Sequence, residues 1–254
     1  RDHGIWVGTE NGLFILENPE PENDNVIHLL KGKEIAEIFP DPDRENVTWV
    51  TANNAGLHMI TLPEAKVVNF TVEDGLLSDT IFNIREDHRD NFWFTTYTGI
   101  FKTSKNYFFD VADGNTRKIP CTGFGISDGL KSTKCRGWPS DSAITLPGGE
   151  LWFSTLKGVS VVDPEKVAFN KYPPPVVIDD VRFNYESIPL EKSGSIYKGL
   201  KDAVFKFNVP TFVSPGRVKI KYKLEGYDPD WREIGTFKPR QVHYRDLLGG
   251  IWLR

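Results

Sequence analysis

Four tryptophans, each followed by a glycine at a short and nearly constant distance, constrain the fold of this chain more than any other feature. The four pairs are Trp6 and Gly12, Trp49 and Gly56, Trp93 and Gly99, and Trp152 and Gly158. The glycine follows by seven residues in the second pair and by six in the others, and successive tryptophans are 43, 44 and 59 residues apart. Self-similarity at such a period is typical of a repeat architecture.

Each tryptophan–glycine pair lies in the same local pattern. A polar turn precedes a short run of aromatic and β-branched residues that contains the tryptophan, and a second apolar run such as "GLFIL" follows the turn. This pattern predicts an antiparallel β-hairpin, and a repeat of about 40–45 residues predicts one blade of a β-propeller. We expect the tryptophans to fill the space between neighbouring blades and the glycines to supply positive φ in tight turns.

Composition and motifs exclude several classes of protein. The chain has 254 residues with 31 basic and 35 acidic side chains, a net charge of −4, so we expect no nucleic-acid partner. No apolar run approaches the roughly 18 residues that would predict a membrane span. The HExxH and phosphate-loop motifs are missing, so we expect no catalytic residue and no cofactor. The chain opens on Arg1 inside a repeat, which indicates a piece of a longer protein.

The two cysteines, Cys121 and Cys135, leave two alternatives open. They lie 14 residues apart, either as two buried thiols or as a disulfide formed in an oxidising compartment. No histidine lies between or close beside them at ligand spacing, so we expect no metal site.

A run of three prolines, Pro173 to Pro175, marks a change in the sequence pattern. Proline donates no backbone hydrogen bond and favours extended chain, as in a linker. The repeats before it, residues 1–172, contain about four blade hairpins, and residues 173–254 contain new β-strand patterns. The predicted fold class is all-β.

The repeats, the prolines and the segment "YKLEGYDPDW…YRDLLGG" together resemble two-component regulator propeller repeats followed by a three-tyrosine domain. The resemblance implies a partial ring of β-propeller blades and then an incomplete immunoglobulin-like β-sandwich, truncated at its C-terminal end. Tyr222 and Tyr244 match tyrosines of the domain's motif, and Trp231 matches its tryptophan. Trp252 stands where the third tyrosine would be.

The same resemblance implies a function in signalling. We expect the extracytoplasmic, periplasmic sensor region of an inner-membrane receptor, working as a homodimer of the parent protein and binding a small molecule or an oligosaccharide. The candidate ligand-binding residues are aromatic side chains in expected loops: Tyr97, Tyr107, Phe108, Phe109 and Trp138. The alternatives are a secreted propeller glycosidase or lyase and a propeller that serves as a protein-interaction scaffold, because a fold does not determine a function.

Overall fold

The computed structural model describes residues 4–16, 26–135, 142–167, 174–189, 196–197, 201–210, 218, 220–234, 240–247 and 251–252. The regular structure of these residues is almost entirely antiparallel β-sheet, so the predicted all-β class is correct. The chain divides into two compact units, residues 1–167 and 168–254. The predicted boundary at residue 173 lies close to this division, and the independence of the two units as domains stays a prediction.

The described residues of the first unit form four antiparallel sheets, and in each sheet neighbouring strands are consecutive in the chain. Sheet I comprises β1 (Ile5–Thr9), β2 (Gly12–Leu16) and β3 (Val26–Leu29). Sheet II comprises β4 (Ile35–Pro40), β5 (Val47–Ala52), β6 (Gly56–Thr61) and β7 (Lys66–Phe70). Sheet III comprises β8 (Asn83–Glu86), β9 (Asn91–Thr96), β10 (Gly99–Ser104) and β11 (Thr122–Phe124). Sheet IV comprises β12 (Ala143–Thr145), β13 (Leu151–Thr155) and β14 (Gly158–Val162).

The connection from β10 to β11 contains a helix, α1 (Asn106–Ala112). None of the helices among the described residues has the length and the hydropathy needed to cross a bilayer.

Each of the first three sheets turns its tryptophan face toward the next sheet in the chain. The Trp6 face of sheet I packs against a cluster that includes Val50 of sheet II. Trp49, on the other face of sheet II, meets Phe92 of sheet III with ring centroids 5.0 Å apart. Trp93, on the opposite face of sheet III, joins a cluster with Phe153 of sheet IV. One packing mode is therefore used three times, which is what a sequence repeat requires.

The fourth tryptophan does not follow the prediction. Trp152 is 36% exposed, and it shares its face of sheet IV with Ile144, Val159 and Val161, which are also exposed. Within the described part of the first unit, no further sheet follows sheet IV. The first sheet is exposed on its opposite side, where Ile5 and Val7 reach solvent. Burial between sheets thus applies to Trp49 and Trp93, and only in part to Trp6.

The four repeat glycines, Gly12, Gly56, Gly99 and Gly158, all have positive φ, between 77° and 138°. The requirement for glycine is strictest at Gly56, where a Cβ atom would lie 2.1 Å from the carbonyl oxygen of Phe70. At Gly158 nothing lies within 4 Å of that position, so only the backbone conformation favours glycine there.

The residues of the second unit that the structure describes form three antiparallel sheets. Its strands are β15 (Val177–Phe183), β16 (Glu186–Ile188), β17 (Ile196–Tyr197), β18 (Ala203–Asn208), β19 (Ile220–Tyr222), β20 (Arg232–Ile234), β21 (Gln241–Tyr244) and β22 (Ile251–Trp252). One sheet has the order β16-β15-β18-β21, and the strand pairs β17-β22 and β19-β20 form the others. Its core includes Val181, Phe207, Val242 and Tyr244. The assignment of this unit as an immunoglobulin-like sandwich stays a prediction.

Candidate functional site

Two buried aspartates hold the tryptophans of the central sheets. The indole Nε1 of Trp49 donates a 2.8 Å hydrogen bond to Asp41, and that of Trp93 donates a 2.7 Å bond to Asp87. Each aspartate also accepts backbone N–H groups of the turn that follows it. The carboxylate therefore joins the turn to the core, as an Asx-type turn residue does.

The most buried charges of the first unit meet at one end of sheets II and III. We call this the Lys105 end; it carries the turns 41–46, 62–65 and 87–90. The Lys105 side chain is 4% exposed, and its ammonium lies 2.5 Å from Asp43, 2.6 Å from Glu86 and 3.3 Å from Asp41. Antiparallel pairing brings these residues to one end of the two sheets. β4, β8 and β10 end there, and β5 and β9 begin there.

The charged groups of this cluster shift one another's pKa values. Burial lowers the pKa of Lys105, but hydrogen bonds and charges from Asp43, Glu86 and Asp41 outweigh it and hold that pKa above its ordinary value. Burial raises the pKa of Glu86, and Asp41 and Asp43 add to the rise while Lys105 opposes it. Lys105 is therefore charged at neutral pH, in a site where negative charge is in excess. The cluster holds the Lys105 ammonium among carboxylates and contains no nucleophile beside a base.

The predicted ligand-binding aromatic residues do not form one patch. Tyr97 is 62% exposed in the turn between β9 and β10, with its ring edge against Phe82. Tyr107 is 37% exposed on α1, which begins beyond the opposite end of β10. A six-residue strand separates these positions, which is roughly 20 Å. The two tyrosines therefore belong to opposite ends of sheet III.

Phe108 is a correction to the sequence analysis. Its side chain is fully buried and packs edge-on against Trp49 and Phe70. A ring in that position cannot stack on a ligand at the surface, so Phe108 is part of the core. Phe109 is half-buried beside the same cluster, and the guanidinium of Arg44 lies 3.5 Å from its ring centroid. Trp138, the fifth candidate, lies outside the described residues.

Cys135 follows the predicted alternative of a buried thiol, whereas Cys121 is only half-buried. Cys121 and Cys135 form no disulfide. Cys121 packs against the cluster between sheets II and III, and Cys135 belongs to the cluster between sheets III and IV. Burial raises the pKa of the Cys135 thiol to about 11.

Three tyrosines of the second unit lie together, and one of them binds a buried carboxylate. The Tyr244 hydroxyl donates a 2.5 Å hydrogen bond to Asp228, whose side chain is inaccessible to solvent. The rings of Tyr222 and Tyr227 meet the Tyr244 ring edge-on, with centroids 6.3 and 5.4 Å away. Sequence reasoning named Tyr222 and Tyr244 but missed Tyr227 and Asp228, although both stand in the quoted segment "EGYDPDW".

Hydrogen bonding decides the charge of Asp228. Burial raises its pKa, but the Leu224 N–H, the Tyr244 hydroxyl and the Arg232 charge outweigh burial and lower it. Burial also raises the pKa of Tyr244, and the Asp228 carboxylate adds to this rise, while the Arg232 charge opposes it. The pair is thus a neutral phenol bound to a carboxylate. Trp231 is 67% exposed and stands apart from this group, while of Trp252 only the backbone in β22 is described.

No family model matches the chain. It is 22% identical, over 250 residues, to histidine kinase P4 of Formosa agariphila, and the match covers 89% of this chain and 17% of that kinase. The chain therefore spans less than a fifth of the curated relative that it matches.

Among solved structures, the chain is similar to extracellular domains assigned to two-component systems of B. thetaiotaomicron. The extracellular domain of the hybrid system BT3049 gives a TM-score of 0.43 at 19% identity, covering 96% of this chain and 38% of that one. That of the hybrid system BT4673 gives a TM-score of 0.30 at 14% identity, covering 95% and 51%.

Proposed function

We propose that this chain is part of the signal-input region of a bacterial two-component receptor, on the outer side of the inner membrane, and that it performs no catalysis itself. The observation that carries the proposal is the sequence similarity to a histidine kinase over 89% of the chain. Because the match covers only 17% of that kinase, kinase chemistry would belong to another part of a parent protein.

Within this proposal, the four sheets of the first unit are blades of a larger propeller. Their strands are consecutive, and the same packing of a tryptophan face on the next sheet occurs three times. The exposed faces around Trp152 and around Ile5 are the surfaces on which neighbouring blades would pack. The second unit, in which Tyr222 and Tyr227 meet Tyr244 and Tyr244 binds Asp228, would be the three-tyrosine domain.

The proposed ligand is a small molecule or an oligosaccharide, and the proposed assembly is a homodimer of the parent receptor. Of the aromatic residues named from the sequence and described in the structure, Tyr97 offers the most accessible ring. An exposed tyrosine presents an apolar face and a polar edge, which together suit the apolar face of a sugar.

The test of the signalling proposal is the coding sequence on both sides of residues 1–254, together with fractionation of the cells that express it. We expect a membrane-spanning segment of about 20 residues and a histidine kinase or another output module in the same reading frame. A reading frame that encodes a secreted protein without such a module would overturn the proposal and favour the glycosidase or scaffold alternative.

The ligand proposal has a separate test. The chain is titrated calorimetrically with a panel of oligosaccharides, and any oligosaccharide that binds is titrated again against Tyr97→Ala. We expect at least a tenfold loss of affinity in Tyr97→Ala and none in the control Tyr185→Ala, whose ring is 89% exposed in the second unit. Unchanged binding by Tyr97→Ala would place the ligand elsewhere.

A further inference from the structure

Three carboxylates from separate segments converge at the Lys105 end. Asp43 belongs to the turn between β4 and β5, Glu86 ends β8, and Asp90 belongs to the turn between β8 and β9. One carboxylate oxygen from each residue lies within 4.8 Å of the other two. Asp43 and Asp90 are exposed, so the cluster can be reached from solvent.

Glu86 carries an oxygen that the protein leaves without a partner. Its side chain is 10% exposed, and its Oε1 lies 2.6 Å from the Lys105 ammonium. Its Oε2 is buried and accepts no hydrogen bond. A buried carboxylate oxygen without a donor is unfavourable by more than an ordinary missing hydrogen bond, because it carries charge. Such an oxygen in a carboxylate cluster is a candidate ligand for a cation.

The positive charges near the cluster do not balance it. Lys105 contacts Asp41, Asp43 and Glu86, so one ammonium faces three carboxylates before Asp90 is counted. The guanidinium of Arg44 lies over the Phe109 ring. Arg89 pairs with Glu165.

We propose that Asp43, Glu86 and Asp90 bind a calcium ion beside the Lys105 ammonium. Calcium takes six to eight oxygen ligands, carboxylates among them, in a flexible geometry, whereas magnesium demands near-ideal octahedral geometry and gives up its waters reluctantly. One oxygen from each of the three carboxylates lies within 4.8 Å of the other two, so a single ion can contact all three. The ion takes the Glu86 oxygen that has no donor and offsets the excess negative charge.

This site departs from the sequence expectation of no metal, which rested on cysteine and histidine spacing. It is independent of the signalling proposal, because it depends only on the turns of sheets II and III. The bound ion would connect the β4–β5 turn to the β8–β9 turn and so reinforce the contact between the two sheets.

The experiment uses the full chain, stripped with a chelator and titrated with calcium chloride to about 10 mM, which spans the affinities of extracellular calcium modules. Thermal unfolding and terbium luminescence, excited through tryptophan, are the two readouts. Trp49 is the natural sensitiser, because its indole bonds to Asp41 beside the cluster. We expect a saturable rise in Tm, and a terbium signal that calcium displaces and that magnesium displaces at least tenfold less well.

Matched variants assign the site. Asp90→Asn removes a charge from an exposed turn residue and should lower the affinity for calcium at least tenfold, and Glu86→Gln should do the same. Glu64→Gln makes an equal change in charge in the exposed 62–65 turn at the same end and should leave the affinity unchanged. The proposal is overturned if calcium moves neither readout, if Asp90→Asn responds like the parent chain, or if magnesium competes as well as calcium.

Discussion

At the scale of single residues, the sequence identified which tryptophans matter but not what holds them. Trp49 and Trp93 are fully buried, and each depends on an aspartate that lies eight or six residues earlier. The spacing between aspartate and tryptophan differs because the two turns differ in length. No fixed sequence motif therefore predicted these aspartate–tryptophan pairs. Phe108 escaped sequence reasoning for a related reason, since its burial depends on the position of α1 over the core and not on the residues beside it.

The aspartate–indole bond gives a first prediction. Replacing Asp87 with alanine removes the acceptor of the buried Trp93 N–H and of four further hydrogen bonds from Arg89 and Asn91. We expect a loss of about 2–3 kcal/mol in the free energy of unfolding, measured by urea denaturation.

Sheet IV supplies the control for Asp87. Glu150 accepts the Trp152 N–H at 3.3 Å in an exposed position, so Glu150→Ala should change the free energy of unfolding by less than about 0.5 kcal/mol. Equal effects of the two variants would show that burial of the bond is not what makes it stabilising.

His58 gives a prediction on pH. The imidazole is 1% exposed, and burial together with the charge of Lys33 lowers its pKa to about 4. The folded chain keeps His58 neutral, while the unfolded chain binds a proton below about pH 6.5. The stability that His58 contributes is therefore complete above pH 6.5 and falls as the pH drops toward 4. We expect a loss of about 2 kcal/mol between pH 7 and pH 5.

Urea denaturation at several pH values measures this dependence. His58→Leu fills a similar volume with an apolar side chain and should flatten the profile between pH 7 and pH 5. His243→Gln, at an exposed position in β21, should leave the profile as it is. A profile that His58→Leu does not alter would assign the pH dependence to other groups.

At the scale of elements, the hairpin pattern predicted the paired strands of all four sheets, because period-two burial and a turn glycine are local signals. The glycines followed the prediction most closely, and all four have positive φ. The exposure of Trp152 could not be foreseen, since it depends on whether a neighbouring sheet is present. The separation of Tyr97 from Tyr107 could not be predicted from the sequence either, because it depends on β10, which runs from one end of sheet III to the other between them.

Two of the glycines form a matched pair for mutation. Gly158→Ala meets no atom within 4 Å, so we expect only the conformational cost of positive φ, about 1–3 kcal/mol. Gly56→Ala adds a collision with the Phe70 carbonyl oxygen at 2.1 Å and should destabilise the chain clearly more. Thermal unfolding of the two variants compares them directly, and an equal loss in Tm would show that the β7 backbone yields to the new methyl group.

At the scale of the whole molecule, the described fold is all-β, and the sequence predicted this class because helical periodicity is weak along the chain. The single described α-helix lies in the extra residues between the third and fourth tryptophans. The sequence also placed a change of pattern at the three prolines, close to the division between the two compact units. The tyrosine group of the second unit was only half predicted, because the contact of Tyr227 with Tyr244 joins residues from different parts of the segment.

The exposed face of sheet IV predicts how the isolated chain behaves in solution. Ile144, Trp152, Val159 and Val161 present a continuous apolar surface, and such surfaces favour association. We expect the chain to self-associate at high concentration and Trp152→Glu to reduce that association, as measured by sedimentation velocity. Trp231→Glu replaces a tryptophan that is 67% exposed in the second unit and should have no such effect. Association that survives Trp152→Glu would point to another surface.

The repeated packing of tryptophan faces also gives the array of sheets a polarity. Each inner sheet packs against the preceding sheet with one face and against the following sheet with the other face. The order of the sheets therefore cannot be reversed without a mismatch at every interface. A duplicated sheet inserted in the same orientation would find a matching surface on both of its faces. An architecture of this kind can change its number of units by whole-repeat duplication or loss while each remaining seam keeps its chemistry.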